Sequence, residues 1–298
     1  MGSLPNFLLI GAEKSGSTSV YGHLREHPEI FMSRVKEPLF FAFEGRKVDF
    51  KGPGDDSINR RVVTDFGDYQ ALFTGSEGHR AVGEASVSYL YYPESAERAA
   101  KYVPHAKLIA ILRCPADRAF SNYQHAIREQ RETLSFDRAL RAEPERVIAN
   151  WSPFFHYKAK GWYYAQLKHW MQHFPPSQFL VLLYDDLNKD PLGAMRRIYG
   201  FLGVDPEFRP TLTVRQNVSG KPRSPWLHQF IKHDSPVHAL ARMALPSKLR
   251  AHVKAELIRI NLSRSSAQSA TRGHLLSEYA PYLAKLQDLI GRDLSAWR

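Results

Sequence analysis

The chain has 298 residues, 43% of them hydrophobic, so it is long enough to bury a full core as one large domain or about two smaller ones. Lys and Arg number 41 against 30 Asp and Glu, a formal net charge of +11 that suits an anionic partner. No apolar run approaches the roughly 18 residues of a membrane span, no charged start precedes a long apolar stretch, and the basic residues form no zinc-finger spacing, RNP motif or basic zipper.

A soluble, cytoplasmic protein that uses neither membrane nor nucleic acid is therefore expected. The single cysteine, Cys114, can close no intramolecular disulfide, which suits a reducing compartment. The sequons at Asn150, Asn217 and Asn261 are read as incidental.

In chain order, Phe7–Ile10 is apolar without alternation, as a strand buried on both faces reads. It leads into Gly11-Ala12-Glu13-Lys14-Ser15-Gly16-Ser17-Thr18-Ser19 and a helix over Thr18–Glu26. Gly11 and Gly16 have the spacing of a phosphate cradle at a helix N-terminus. A nucleoside-triphosphatase loop would place lysine at position 17; here Ser17 stands there and the lysine is Lys14. The plain alternative is a glycine-rich turn with a solvated lysine.

Lys36-Glu37-Pro38 follows that helix, and Gly45–Asp68 reads as a long surface excursion over the site. Further strands are expected at Arg80–Glu84, Leu108–Leu112 and Phe179–Tyr184, with helices at Pro93–Tyr102, Ala116–Glu129, Tyr163–His173 and Pro191–Leu202. This alternation predicts an α/β fold whose ligand lies at the carboxyl ends of parallel strands. Arg113 stands at such an end, and Ser121 on the next helix can converge with it on one phosphate. Singly, each also reads as an ordinary surface residue. The aromatic stretches Tyr89–Tyr92 and Trp151–Tyr157 fit either an acceptor pocket or the core. After Gly203 come a Pro-rich basic loop, Arg209–Trp226, and helical segments near Val237–Ile260 and Gly273–Leu289.

Two of these patterns, Lys14-x-Gly16-Ser17-Thr18 after the first strand and Arg113-x-Pro115-x-x-Arg118-x-x-Ser121 after a later one, resemble the 5′-phosphosulfate loop and the 3′-phosphate motif of sulfotransferases. Those enzymes use 3′-phosphoadenosine 5′-phosphosulfate (PAPS) and release adenosine 3′,5′-bisphosphate (PAP). Lys36-Glu37-Pro38-Leu39-Phe40-Phe41 resembles the segment carrying the general base in the heparan-sulfate-type and bacterial branch. Gly161-Trp162-Tyr163 through Trp170 and Ser219–Ser224 extend the likeness.

The resemblance implies a P-loop-like three-layer fold with a central parallel sheet flanked by helices, plus C-terminal helical segments. It also implies one domain over 1–298, with a core of about 5–205 and a closing loop and helices over about 206–298. Lys14, Ser15, Gly16, Ser17, Thr18, Ser19, Arg113, Ser121, Lys221 and Arg223 would bind the nucleotide. Lys14 and Glu37 would be catalytic, and His125, one helical turn after Ser121 on the same face, is the second acid–base candidate beside its reading as a packed histidine. No metal is expected. Where the heparan-type enzymes carry a lysine beside Glu84, this chain has Ala85, which weakens the case for a glycosaminoglycan acceptor. A glycan, a lipid, a secondary-metabolite intermediate and a small alcohol or phenol all stay open, as does the oligomeric state. The rival readings are a small-molecule kinase or NTPase and a non-catalytic module that binds nucleotide or polyanion.

Overall fold

The structure is a computed structural model that describes residues 4–211, 221–222, 262–263 and 269–297. Phe7–Gly11 (β1), Ile30–Met32 (β2), Ala81–Ala85 (β3), Lys107–Leu112 (β4) and Phe179–Leu183 (β5) form one sheet. All its pairs are parallel, in the order β2-β3-β1-β4-β5. The four expected strands lie within a residue of their predicted limits. β2 was not foreseen, because three residues at a sheet edge carry too little pattern to read.

Side chains alternate across the sheet, and the alternation builds the layers. Phe7 and Leu9 pack with Val20 and Leu24 of the Ser17–Glu26 helix and Met195 and Ile198 of the Pro191–Leu202 helix. Leu8 and Ile10 face the opposite layer, with Phe41, Tyr89 and Trp170. That layer holds the helices Glu94–Tyr102, Pro115–Arg128 and Tyr163–Trp170. Every residue of β1 and β3 is buried, which accounts for the unbroken apolar run of β1 and leaves Glu84 as the one ionisable side chain within β3. Gly83 permits the closeness of these two strands, since a Cβ there would collide with the Phe7 ring.

Strand order reverses beside β1: its outgoing helix leads toward β2, whereas β4 lies on its other side. A crevice opens at the carboxyl ends of strands at such a switch, and both Gly11 and Arg113 stand there. The Gly45–Asp68 excursion contains a short helix, Asp56–Asn59, and ends beside another, Phe66–Ala71. Among the contacts that tie it down, Val63 N–H donates to the Pro38 carbonyl at 2.9 Å and Lys51 N–H to the Asn150 carbonyl at 2.9 Å, and Asp55, 1% exposed, joins it to Arg131 and Ser152. The C-terminal helix, Ser269–Ile290, lays Leu275, Tyr279, Leu283 and Leu286 into the same core as β1 and β4. The Val237–Ile260 segment lies outside the described residues. Among the described residues no helix is long and apolar enough to cross a membrane.

Candidate active site

A cleft of about 740 Å³ lies at the switch point, and the loop after β1 forms its floor. Two residues of that loop turn into the left-handed region, Lys14 at φ 66° and Gly16 at φ 88°. Gly16 suits this place twice, because a side chain would also crowd Leu187 and Tyr184. The Ser17–Glu26 helix then begins with no side chain capping it; Ser19 N–H turns back to the Gly16 carbonyl at 3.0 Å, which leaves the N–H groups of Ser17 and Thr18 for an anion. Lys14, Gly16, Ser17, Thr18 and Ser19 line the cleft. Ser15 does not: its side chain is fully buried.

Burial pushes the Lys14 ammonium down to about 8; Glu13 opposes that shift, while Arg128, Lys160 and Arg113 add to it. An ammonium this poorly solvated and surrounded by other cations gains from an incoming anion. Arg113 donates to the Lys14 carbonyl at 3.3 Å and lies 4.8 Å from the centre of the Tyr184 ring. Ser121, 4% exposed, lines the same wall. Arg118, the other arginine of that motif, is fully buried and donates to the Tyr157 carbonyl, so it braces the wall instead of facing the cleft. Lys221–Pro222 pairs antiparallel with Leu262–Ser263 beside the Pro115–Arg128 helix. The Lys221 side chain and all of Arg223 lie outside the described residues.

Glu37 lines the same cleft and is also left-handed, at φ 61°. Its N–H donates to the Ala85 carbonyl at 2.9 Å, and Lys36 Nζ reaches its carboxylate at 3.2 Å. Thus Ala85, at the position where the resemblance implies a lysine, holds Glu37 through its backbone. Behind it, Leu39 N–H donates to Ser86 Oγ at 3.1 Å, and Ser86 donates to Glu84 at 2.9 Å. Burial raises the Glu84 carboxyl to about 8 with Glu37 adding to the rise, against the hydrogen bonds of Tyr89 and Ser86.

His125 also lines the cleft, its ring centre 5.3 Å from that of Phe154. Burial, then Lys14 and Arg128, push it down to about 3, so it is neutral at physiological pH and holds an extra proton only weakly. Of the aromatic stretches, Tyr92 and Phe154 face the cleft, while Tyr89, Phe155 and Tyr157 are buried in the core.

Several lining residues escaped sequence reasoning. Ile58 and Arg61 come from the excursion, Arg131 from beyond the long helix, and Tyr184, Leu187 and Met195 from the segments after β5. The rule that ligands gather at strand ends pointed to Tyr184, and the excursion read as lying over the site contains Ile58 and Arg61; nothing local marked Arg131, Leu187 or Met195. Glu13 was visible beside Lys14, but its partner Lys160 was not.

The chain matches the family model described as sulfotransferase domain over residues 4–219. A crystal structure of a sulfotransferase from Alicyclobacillus acidocaldarius superposes with a TM-score of 0.78 at 35% identity, covering 99% of each chain. The human bifunctional heparan sulfate N-deacetylase/N-sulfotransferase 3 is 31% identical over 214 residues, 69% of this chain and 23% of that protein. Mouse heparan sulfate glucosamine 3-O-sulfotransferase 3B1 is 28% identical over 203 residues, 67% of this chain and 46% of that protein. The chain thus spans less than half the length of these two relatives. Two phosphate-type motifs at neighbouring strand ends, a matching family domain and a full-length structural likeness agree: the chain belongs to the sulfotransferase family and is an enzyme of that type.

Proposed function

We propose that the protein moves a sulfuryl group from PAPS to a hydroxyl or amine of an acceptor and releases PAP. The observation that carries this reading is that Lys14 and Glu37 line one cleft together with Arg113 and Ser121. The nucleotide supplies an activated sulfate on a phosphate leaving group, and the residues present fit it: a left-handed glycine loop, an uncapped helix N-terminus and an arginine at a strand end.

Within this reading Lys14 and the first-turn N–H groups stabilise the negative charge that grows on the leaving phosphate oxygen. Glu37 takes the acceptor proton, a role that suits a carboxylate in the cleft and not a buried, neutral His125 with its low proton affinity. Arg113 and Ser121 hold the 3′-phosphate. Lys14 supplies the cation on the leaving group, so chelators should leave turnover unchanged. The relatives named for heparan sulfate and glucosamine make a glycan one acceptor to try; lipids, alcohols, phenols and secondary-metabolite intermediates are the others.

Calorimetry with PAP and adenosine 5′-phosphate tests the nucleotide site. PAP should bind far more tightly, and Arg113→Ala should remove most of that preference. Equal affinities in the native protein would dismiss the assignment. Radiolabelled PAPS offered with each acceptor class then tests transfer.

A further inference from the structure

Glu13 poses a physical problem, because a carboxylate inside an anion cradle repels the ligand the cradle is built for. It lines the cleft next to Lys14, and it is ionised: burial alone would raise its carboxyl, but the charge and hydrogen bond of Lys160, with Arg118 and Lys14 beyond, hold it at about 2. Lys160 is 4% exposed and donates to Glu13 Oε2. Its position is fixed in turn. The Ala159–Gly161 turn that carries it is pinned by Glu143, which accepts from the N–H groups of Lys158 and Ala159 at 2.7 and 2.8 Å. Tyr279 of the C-terminal helix donates to the Lys158 carbonyl at 2.7 Å.

We propose that Glu13, fixed beside Lys14 by Lys160, is a positioning residue that keeps Lys14 charged in the donor site. The proposal rests on reading the Lys14 loop as that site. The groups facing Lys14 are Arg113 from the end of β4, His125 and Arg128 from the helix after it, and Lys160 from the turn. Glu129 and the Lys36–Glu37 pair line the same cleft. Among the groups acting most strongly on Lys14, Glu13 is the one carboxylate and the others are cations. Without it, Lys14 would sit among cations in a poorly hydrated site and would shed its proton sooner.

The two partners of the pair therefore predict opposite effects. Calorimetric titration with PAP from pH 7 to 9.5 should show affinity in the native protein falling through the alkaline range, and Lys14→Ala should abolish that fall. In Glu13→Gln the fall should begin about one pH unit lower, with affinity at pH 7 within about threefold of native or tighter, since a repelling charge is gone. In Lys160→Met the unpaired Glu13 should move the fall upward and weaken PAP at pH 7 by at least about tenfold. The double variant should lie between the two.

A fall that stays in place in both variants, or that persists in Lys14→Ala, overturns the proposal while leaving the PAP site standing. Glu13→Gln that folds but loses PAP at every pH overturns it too, by showing a merely structural role. If Glu13→Gln does not fold, the direction of the shift in Lys160→Met decides. A native protein that does not bind PAP removes the donor-site reading itself, and the proposal with it.

Discussion

Lys14 and Glu37 reach the cleft from backbone that side-chain-bearing residues avoid, with φ at 66° and 61°, a conformation costing about 1–2 kcal/mol each. Long-range bonds hold them there, Arg113 on the Lys14 carbonyl and the Ala85 carbonyl on the Glu37 N–H. In the proposed reaction both would act on charge that develops only in the transition state, and such interactions raise kcat more than binding. Lys14→Ala should therefore lower kcat at least about a hundredfold, the scale of deleting one oxyanion donor, and affect PAP affinity less. If KM alone changes, Lys14 only anchors the nucleotide. Glu37→Gln should keep the fold and PAP affinity yet lose roughly 10²–10⁴ in turnover. Normal turnover there, combined with a dead His125→Ala, would transfer the base role to the histidine.

β3 carries a second carboxylate with a different task. Glu84 is fully buried, and its carboxyl is raised from 4.5 to about 8, chiefly by burial. The folded state then holds a proton that the unfolded chain releases, so stability from this group is complete below about 4.5 and is lost as pH climbs toward about 8. Glu84→Gln should have a higher melting temperature than native at pH 8 and nearly the same one at pH 4.5. Equal differences at both values would show that Glu84 does not titrate in that window. The excursion is held by a buried carboxylate of the opposite kind, one paired with a cation. Asp55 accepts from the N–H groups of Gly52 and Ser152 at 2.9 and 2.8 Å, from Ser152 Oγ at 2.6 Å and from Arg131. Asp55→Ala removes all four bonds and strands the cation, which should cost about 3–5 kcal/mol in urea denaturation. A loss under about 1 kcal/mol would mean that this clamp does not hold the excursion.

The layers depend on one another from end to end. The C-terminal helix buries Tyr279 and Leu283 against the core and braces the turn that carries Lys160, although the family match ends at residue 219. We propose that the whole chain unfolds as a single cooperative unit. Calorimetry should show one transition, and a chain truncated after residue 211 should lose it, because Tyr163 and Trp162 would be stripped of Tyr279 and its neighbours. A truncated chain with a native-like transition would show that the terminal helix is dispensable.

The strand and helix pattern, the sheet direction and the two phosphate motifs were legible because each rests on neighbours within a few residues. Apolar runs make buried strands, glycine spacing makes a cradle, and an arginine after a strand lies at its carboxyl end. Local pattern thus predicted the fold class and named Lys14, Arg113 and Ser121, and the family resemblance added Glu37; all four line one cleft. Tertiary structure alone decided what those residues meet. Glu13 finds Lys160 across 147 positions and Asp55 finds Arg131 across 76, distances over which no periodicity carries information. It also decided protonation, since the low value of His125 and the high one of Glu84 come first from burial, and the water a side chain loses depends on every layer packed around it.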